Sequence, residues 1–255
     1  MLKHPQRQRG VTLVELMIAS AIALIALSAV LTLYITAARH GGELLQQAQL
    51  HQQLHALVHL LSRDLRRAGY WHFNPSVNPP TASPFQNAGN RIQLDAYPGE
   101  GPQSCILFSY DLDRDGLVGL GACEAGNCPE HTDEDNVEQF GFRLRGNRIQ
   151  SRYGGPELTC SSGYWQTLND ASMEITGLRF IQHSHCLNLL DTERLCTPES
   201  PALMRRAIEV QISARLADRP DTDTPLSQWV RVRNDLLRAC LLYTSDAADE
   251  MSVVG

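Results

Sequence analysis

The 255-residue sequence contains a single lysine, Lys3. Every other basic residue is an arginine, and 28 acidic side chains outnumber 22 basic ones for a net charge of -6. No basic stripe is available to neutralise phosphates, which argues against nucleic acid as a partner. Catalytic signatures are missing too: the chain has no GxSxG elbow, no glycine-rich phosphate loop and no HExxH, so its scattered Ser, His and Asp residues do not make an enzyme's pattern. Proline and glycine are absent from Val11 to His40, so nothing in that stretch kinks a helix. Cysteine is absent until Cys105. With 43% hydrophobic and 20% charged residues, the chain is not of the disordered class and can bury a core in one or two globular units.

What is present is concentrated at the N-terminus. Met1 to Arg9 is polar and carries Lys3, Arg7 and Arg9, whereas Val11 to Ala38 is nearly all apolar. At 1.5 Å per residue that run makes a helix about 42 Å long, enough to cross a bilayer. Basic residues just before such a run hold that end in the cytoplasm, so the chain beyond Arg39 is expected across the membrane. Glu15 lies inside the apolar run, five residues after Gly10. A carboxylate at membrane depth costs about 2.5–3.5 kcal/mol on insertion scales and marks a function. An ordinary signal anchor or a cleaved secretory signal has no use for one.

Gly10-Val11-Thr12-Leu13-Val14-Glu15-Leu16 resembles the prepilin signature of type IV pilins and type II secretion pseudopilins. The resemblance implies that a prepilin peptidase cuts after Gly10 and methylates the new N-terminus at Val11. It also implies that Glu15 neutralises an N-terminal amine during filament assembly. Val11 departs from the phenylalanine usual in the family, and Thr32 falls where many major pilins carry a helix-kinking proline.

The helical pattern continues past the apolar run. Leu50, Leu54, Leu57, Leu61, Leu65 and Ala68 recur at three- and four-residue steps against a face of Gln, His, Arg and Asp, so this stripe should pack on a head. Gly41-Gly42 separates the two halves and is expected to bend or break the helix, since each glycine costs roughly 1 kcal/mol there. His51, His55 and His59 stand at i, i+4 and i+8, a spacing suited either to a metal or to a plain solvated face. Arg66 and Arg67 followed by Gly69 end the helix. The segment Arg63-Asp-Leu-Arg-Arg-Ala-Gly-Tyr-Trp71 also resembles minor pilins of the PilW kind, in which such a run closes the long helix.

Asn74 to Asn90 reads as a surface connection. Thereafter Arg91–Tyr97, Ser104–Tyr110, Glu138–Arg145, Arg148–Tyr153, Glu174–Gln182, Ala207–Ala217 and Gln228–Asn234 alternate as half-buried strands. Gly146-Asn147 suits a hairpin turn. A long helix before a run of antiparallel strands gives an α+β head with the helix laid on a sheet, of the type IV pilin-like kind that the resemblance also implies. The expected organisation is a leader (1–10), a transmembrane and assembly helix (11–70), a head (71–239) and a tail (240–255). That tail begins Cys240-Leu-Leu-Tyr-Thr-Ser-Asp-Ala-Ala-Asp-Glu250 and looks like a translated sequencing-library adapter, with the natural chain diverging at about Ala239.

Seven cysteines follow the apolar run, at 105, 123, 128, 160, 186, 196 and 240. Disulfides suit the oxidising bacterial periplasm. Without Cys240, which is expected to have no partner, six cysteines allow about fifteen pairings. Cys123 with Cys128 and Cys186 with Cys196 would close local loops, leaving Cys105 with Cys160. A zinc site is the rival, without a paired CxxC knuckle to support it.

Asp111-Leu-Asp113-Arg-Asp115-Gly116 alternates carboxylates ahead of glycine, like the opening half of an EF-hand calcium loop. Ala122 stands at the twelfth position, where such loops carry glutamate, so Glu124 or the run Asp133-Glu134-Asp135 would have to complete a calcium sphere. A tight acidic turn between strands is the plainer reading.

The resemblances together imply no enzyme but a minor type IV pilin that helps initiate or cap a pilus. A J-type pseudopilin of type II secretion is the close variant, and an adhesin or ligand receptor displayed at a filament tip is the reading from another class. The implied partners are the prepilin peptidase, other minor pilins and the major pilin or pseudopilins, and the inner membrane. A single pass would leave the head in the periplasm before assembly into a pilus or pseudopilus.

Overall fold

The computed structural model describes residues 10–72, 83–87, 89–114, 116, 118–119, 138–155, 157–191, 193–197 and 200–238. Residues 1–9 of the expected leader, the Cys123–Cys128 loop, Asp115, Glu124, the 133–135 run, Cys240 and the tail lie outside these residues. The chain divides into two compact units, Met1–Gln49 and Leu50–Gly255.

One helix, α1, runs from Leu13 to Leu65. Gly41 and Gly42 lie inside it and do not break it, a correction to the break expected there. Adding one residue to a formed helix fixes little chain and gains a hydrogen bond, so two glycines at about 1 kcal/mol each do not outweigh the turns on either side. Nothing approaches within 4 Å of where a Cβ would stand at either glycine, so packing does not demand them.

In the second unit the leucine stripe is buried as its spacing requires: Leu50, Leu61, Leu65 and Ala68 are fully covered, and Leu54 nearly so. Each such leucine contributes on the order of 1.5–3 kcal/mol by leaving water. The stripe meets two antiparallel sheets in one core. The first sheet contains β1 (Gln93–Asp95), β2 (Cys105–Ser109), β3 (Gln139–Arg145), β4 (Arg148–Gly154) and β5 (Tyr164–Thr167), in that order across the sheet. The second has β6 (Met173–Asn188), β7 (Ala202–Leu216) and β8 (Arg219–Arg231) in order, with β9 (Leu236–Arg238) also on β7. The expected α+β, pilin-like class is therefore present, with two sheets where one was anticipated.

Alternation sends Ile106, Phe108, Phe142 and Leu144 from the first sheet, and Phe180, Ile208, Val210 and Ile212 from the second, into this core. Gly146 and Asn147 take φ of 56° and 60° and join β3 to β4, the left-handed pair that matches a hairpin's twist. The described end of the Asn74–Asn90 connection, from Ser83, is less superficial than its composition suggests. Its Pro84–Gln86 turn buries Phe85 completely, and Gln86 Nε2 donates to the Gly69 carbonyl at 3.0 Å.

Disulfides join Cys105 to Cys160 and Cys186 to Cys196. The first lies on the outer face of the five-stranded sheet in a small cluster with Leu107, Leu158 and Trp165. Arg143 reinforces that face, its guanidinium 4.0 Å from the Trp165 ring centre and 4.7 Å from that of Tyr97. The second disulfide closes the connection between β6 and β7.

Candidate functional site

Among the described residues, groups that carry chemistry lie in both units. In the first, Gly10 and Val11 are exposed and non-helical just before α1. The helix then opens on a reciprocal cap. The Glu15 N–H donates to Thr12 Oγ1 at 3.3 Å, while Glu15 Oε2 accepts from the Thr12 N–H and the Thr12 hydroxyl, each at 3.0 Å. This is a capping box, which satisfies N–H groups that a helix start otherwise leaves unpaired. Reading Glu15 for its charge alone misses Thr12. The signal that finds it is Thr-x-x-Glu ahead of an apolar run.

Behind the cap, the apolar side chains of this unit are uncovered, Val11 at 73% exposure and Leu33 at 72%. The helix is long and apolar enough to cross a membrane, and such a surface calls for lipid or neighbouring helices. Its hydroxyls are satisfied internally: Thr32 Oγ1 donates to the Ser28 carbonyl at 2.7 Å and Thr36 Oγ1 to Thr32 at 2.8 Å. Thr32 thus leaves the helical ladder intact where a proline would open it.

In the head, the residues after the helix bind the acidic turn. Gly69, at φ 73°, donates its N–H to the Ser109 carbonyl at 2.7 Å. Asp111 N–H donates to the Tyr70 carbonyl at 3.0 Å, and His72 N–H to Asp111 Oδ2 at 2.9 Å. Trp71 Nε1 donates to the Gly116 carbonyl at 3.2 Å. The helix end is held from elsewhere as well, since the Arg67 and Ala68 carbonyls accept from Asn234 Nδ2.

Asp111 is buried and also accepts from the N–H groups of Arg114 and Gly116. Asp113 is exposed. The third carboxylate of the group is Glu138, 1% exposed, which accepts from Leu112 N–H at 2.7 Å and Gly119 N–H at 3.0 Å. Burial pushes the Glu138 carboxyl up to about 7, against the pull of those two N–H groups, and the Asp113 and Asp111 charges push the same way as burial. One oxygen from each of Asp111, Asp113 and Glu138 can be chosen so that all lie within 4.8 Å of one another. Oxygens around one calcium at about 2.3–2.6 Å stand no farther apart than that, to within a few tenths of an ångström. Glu138 is the member that sequence spacing misses. It lies far beyond a twelve-residue loop and reads as the first residue of a strand; only the β2–β3 pairing returns it to the turn. His51, His55 and His59 form no three-ligand cluster among the described residues.

A capped, membrane-length N-terminal helix continuing into the core of an α+β head defines the class of pilin-like subunits. The family comparisons agree. Residues 5–31 match the prokaryotic N-terminal methylation motif, and residues 43–232 match the family of prepilin peptidase-dependent protein B. The chain belongs to that family of pilin-like prepilins. It is also similar to an uncharacterised protein of Haemophilus influenzae, 25% identical over 162 residues that cover 54% of this chain and 67% of the relative. No solved structure matches.

Proposed function

We propose that this chain is a minor pilin of the PilW kind that promotes initiation of a type IV pilus. The observation that carries the reading is the Gly10–Glu15 segment, exposed at its glycine and capped at its glutamate, ahead of a membrane-length helix on a chain of this family. In this reading the prepilin peptidase cleaves after Gly10 and methylates Val11. Glu15 then leaves Thr12 to meet the N-terminal amine of a neighbouring subunit. Opposite charges about 4 Å apart attract by on the order of 4 kcal/mol at an effective dielectric of 20, before desolvation is subtracted. The inner membrane holds the subunit, with its head in the periplasm, until the other minor pilins and the major pilin take it up. Deleting the gene and assaying pilus assembly and exoprotein release tests this. Loss of secretion with intact pili would make it a J-type pseudopilin instead.

The head also has the chemistry of a calcium site. Asp111, Asp113 and Glu138 would supply the carboxylates, with Asp115 the remaining acid of the sequence pattern. Calcium would offset the repulsion among carboxylates held this close. Calcium titration of the purified protein, read by calorimetry, tests the site; no heat beyond dilution would leave only the acidic turn.

A further inference from the structure

We infer that His51 and His55 form a binding site for a first-row divalent transition ion of borderline softness, zinc being the type case, with His55–His59 as an alternative pair. All three imidazoles are exposed and lie on one unbroken stretch of α1 within the second unit. Residues four apart on a helix stand about 6 Å apart along the axis and on the same face, and that spacing is the one by which two helical histidines hold zinc. Imidazole nitrogen suits zinc, copper and nickel, whereas the oxygen-only group at Asp111, Asp113 and Glu138 suits calcium or magnesium. The two sites therefore sort ions by hardness.

The rest of the helix makes the pair effective. In a free peptide, a metal clipped across one turn must also order that turn. Here Leu50, Leu54, Leu57, Val58 and Leu61 are buried along the same segment, so the backbone is already held. Arg63 stands one turn beyond His59, and Arg66 two turns beyond, on the histidine side of the helix. Asp64 pairs with Arg63 at 3.3 Å and offsets its charge, so Arg66 is left to oppose a cation there, which ranks His51–His55 above His55–His59. Two protein ligands leave coordination positions for water.

The test is zinc titration of the full-length, detergent-extracted protein by calorimetry, with calcium saturating and no chelating buffer. One zinc per chain is expected. His55→Gln, which removes the nitrogen common to both pairs, should weaken binding at least about tenfold, His51→Gln less because His55–His59 remains, and His59→Gln less than about threefold. The pair His183→Gln/His185→Gln, on β6, should change nothing. Copper binding read by electron paramagnetic resonance should show two nitrogen ligands, reduced to one in His55→Gln. Glutamine keeps helix propensity close to the best formers, and the far-ultraviolet dichroism of each variant verifies folding. Unchanged zinc affinity in the His51→Gln/His55→Gln variant overturns the site. So does a loss spread evenly over all the histidine variants, which is the mark of adventitious binding only.

Discussion

Trp71 gives its indole N–H to the carbonyl oxygen of Gly116 at 3.2 Å, so the segment that follows the helix is bonded to the glycine of the acidic turn. His72 and Asp111 make a second link, and Tyr70 and Asp111 a third. The helix-end segment and the candidate ion site are thereby one hydrogen-bonded assembly. A change in either should be felt in the other.

Calcium at a hundred times its dissociation constant should stabilise the protein by about 2.7 kcal/mol through mass action. Thermal melts of the full-length protein in detergent, with calcium and then with chelator, measure this. Asp113→Asn, on an exposed side chain, should abolish the response while shifting the chelator melt by no more than about 0.5 kcal/mol. Trp71→Phe should lower the chelator melt by about 1 kcal/mol for its lost hydrogen bond and weaken calcium binding as well. Superimposable melts in calcium and chelator would rule the ion site out.

Glu138 sets a pH dependence. Its carboxyl, raised mainly by burial from 4.5 to about 7, binds a proton more readily folded than unfolded. The contribution of this group is therefore fully present below about pH 4.5, is lost as pH rises through 7, and is level above that. Denaturant unfolding in chelator at pH 5, 6, 7 and 8, compared with Glu138→Gln, isolates the slope. The glutamine variant should lack this component; an identical slope in both proteins would assign it to other groups.

The two disulfides among the described residues should differ in weight. Loop-closure entropy ascribes about 4 kcal/mol to the Cys105–Cys160 link, with its sequence separation of 55, and about 3 kcal/mol to Cys186–Cys196, with its separation of 10. Loss of the first also disturbs the cluster of Leu107, Leu158 and Trp165. Chemical denaturation of Cys105→Ser/Cys160→Ser and Cys186→Ser/Cys196→Ser should show the larger loss in the first pair. The reverse order would mean that strain or residual structure outweighs loop length.

Gly10→Val should leave the leader uncleaved, whereas the wild-type chain should begin at a methylated Val11 by N-terminal mass spectrometry. Glu15→Gln should keep insertion and cleavage but lose uptake by the other minor pilins in a pull-down. Thr12→Val should weaken the helix start by about 1 kcal/mol without changing the charge of Glu15. Normal uptake of Glu15→Gln would show that the carboxylate is not the assembly device.

The long helix, its apolar run, the Leu50–Ala68 stripe and the β3–β4 hairpin were legible in sequence because each rests on local periodicity or turn chemistry. Glycine at 146 with asparagine at 147 needs only its own backbone to form a turn. β8 was legible only from Gln228 onward, since Arg219 to Ser227 contains Pro220 and Pro225 and reads as a turn. Its place at the edge of the second sheet lets it carry prolines that a central strand would reject. β5 and β9 are too short to show a pattern, with 4 and 3 residues, and exist through pairing with β4 and β7.

By itself the sequence determined the N-terminal methylation motif, a helix long and apolar enough to cross a membrane, the α+β class and the alternating acids of the turn, all of them properties of neighbours along the chain. Only the tertiary structure decided that the strands divide into two sheets and that Glu138 closes on Asp111 and Asp113. The reason is physical. Glu138 is brought to the turn by the antiparallel pairing of β2 with β3, and its raised proton affinity comes chiefly from burial, a quantity set by the packing of distant segments and by no residue spacing.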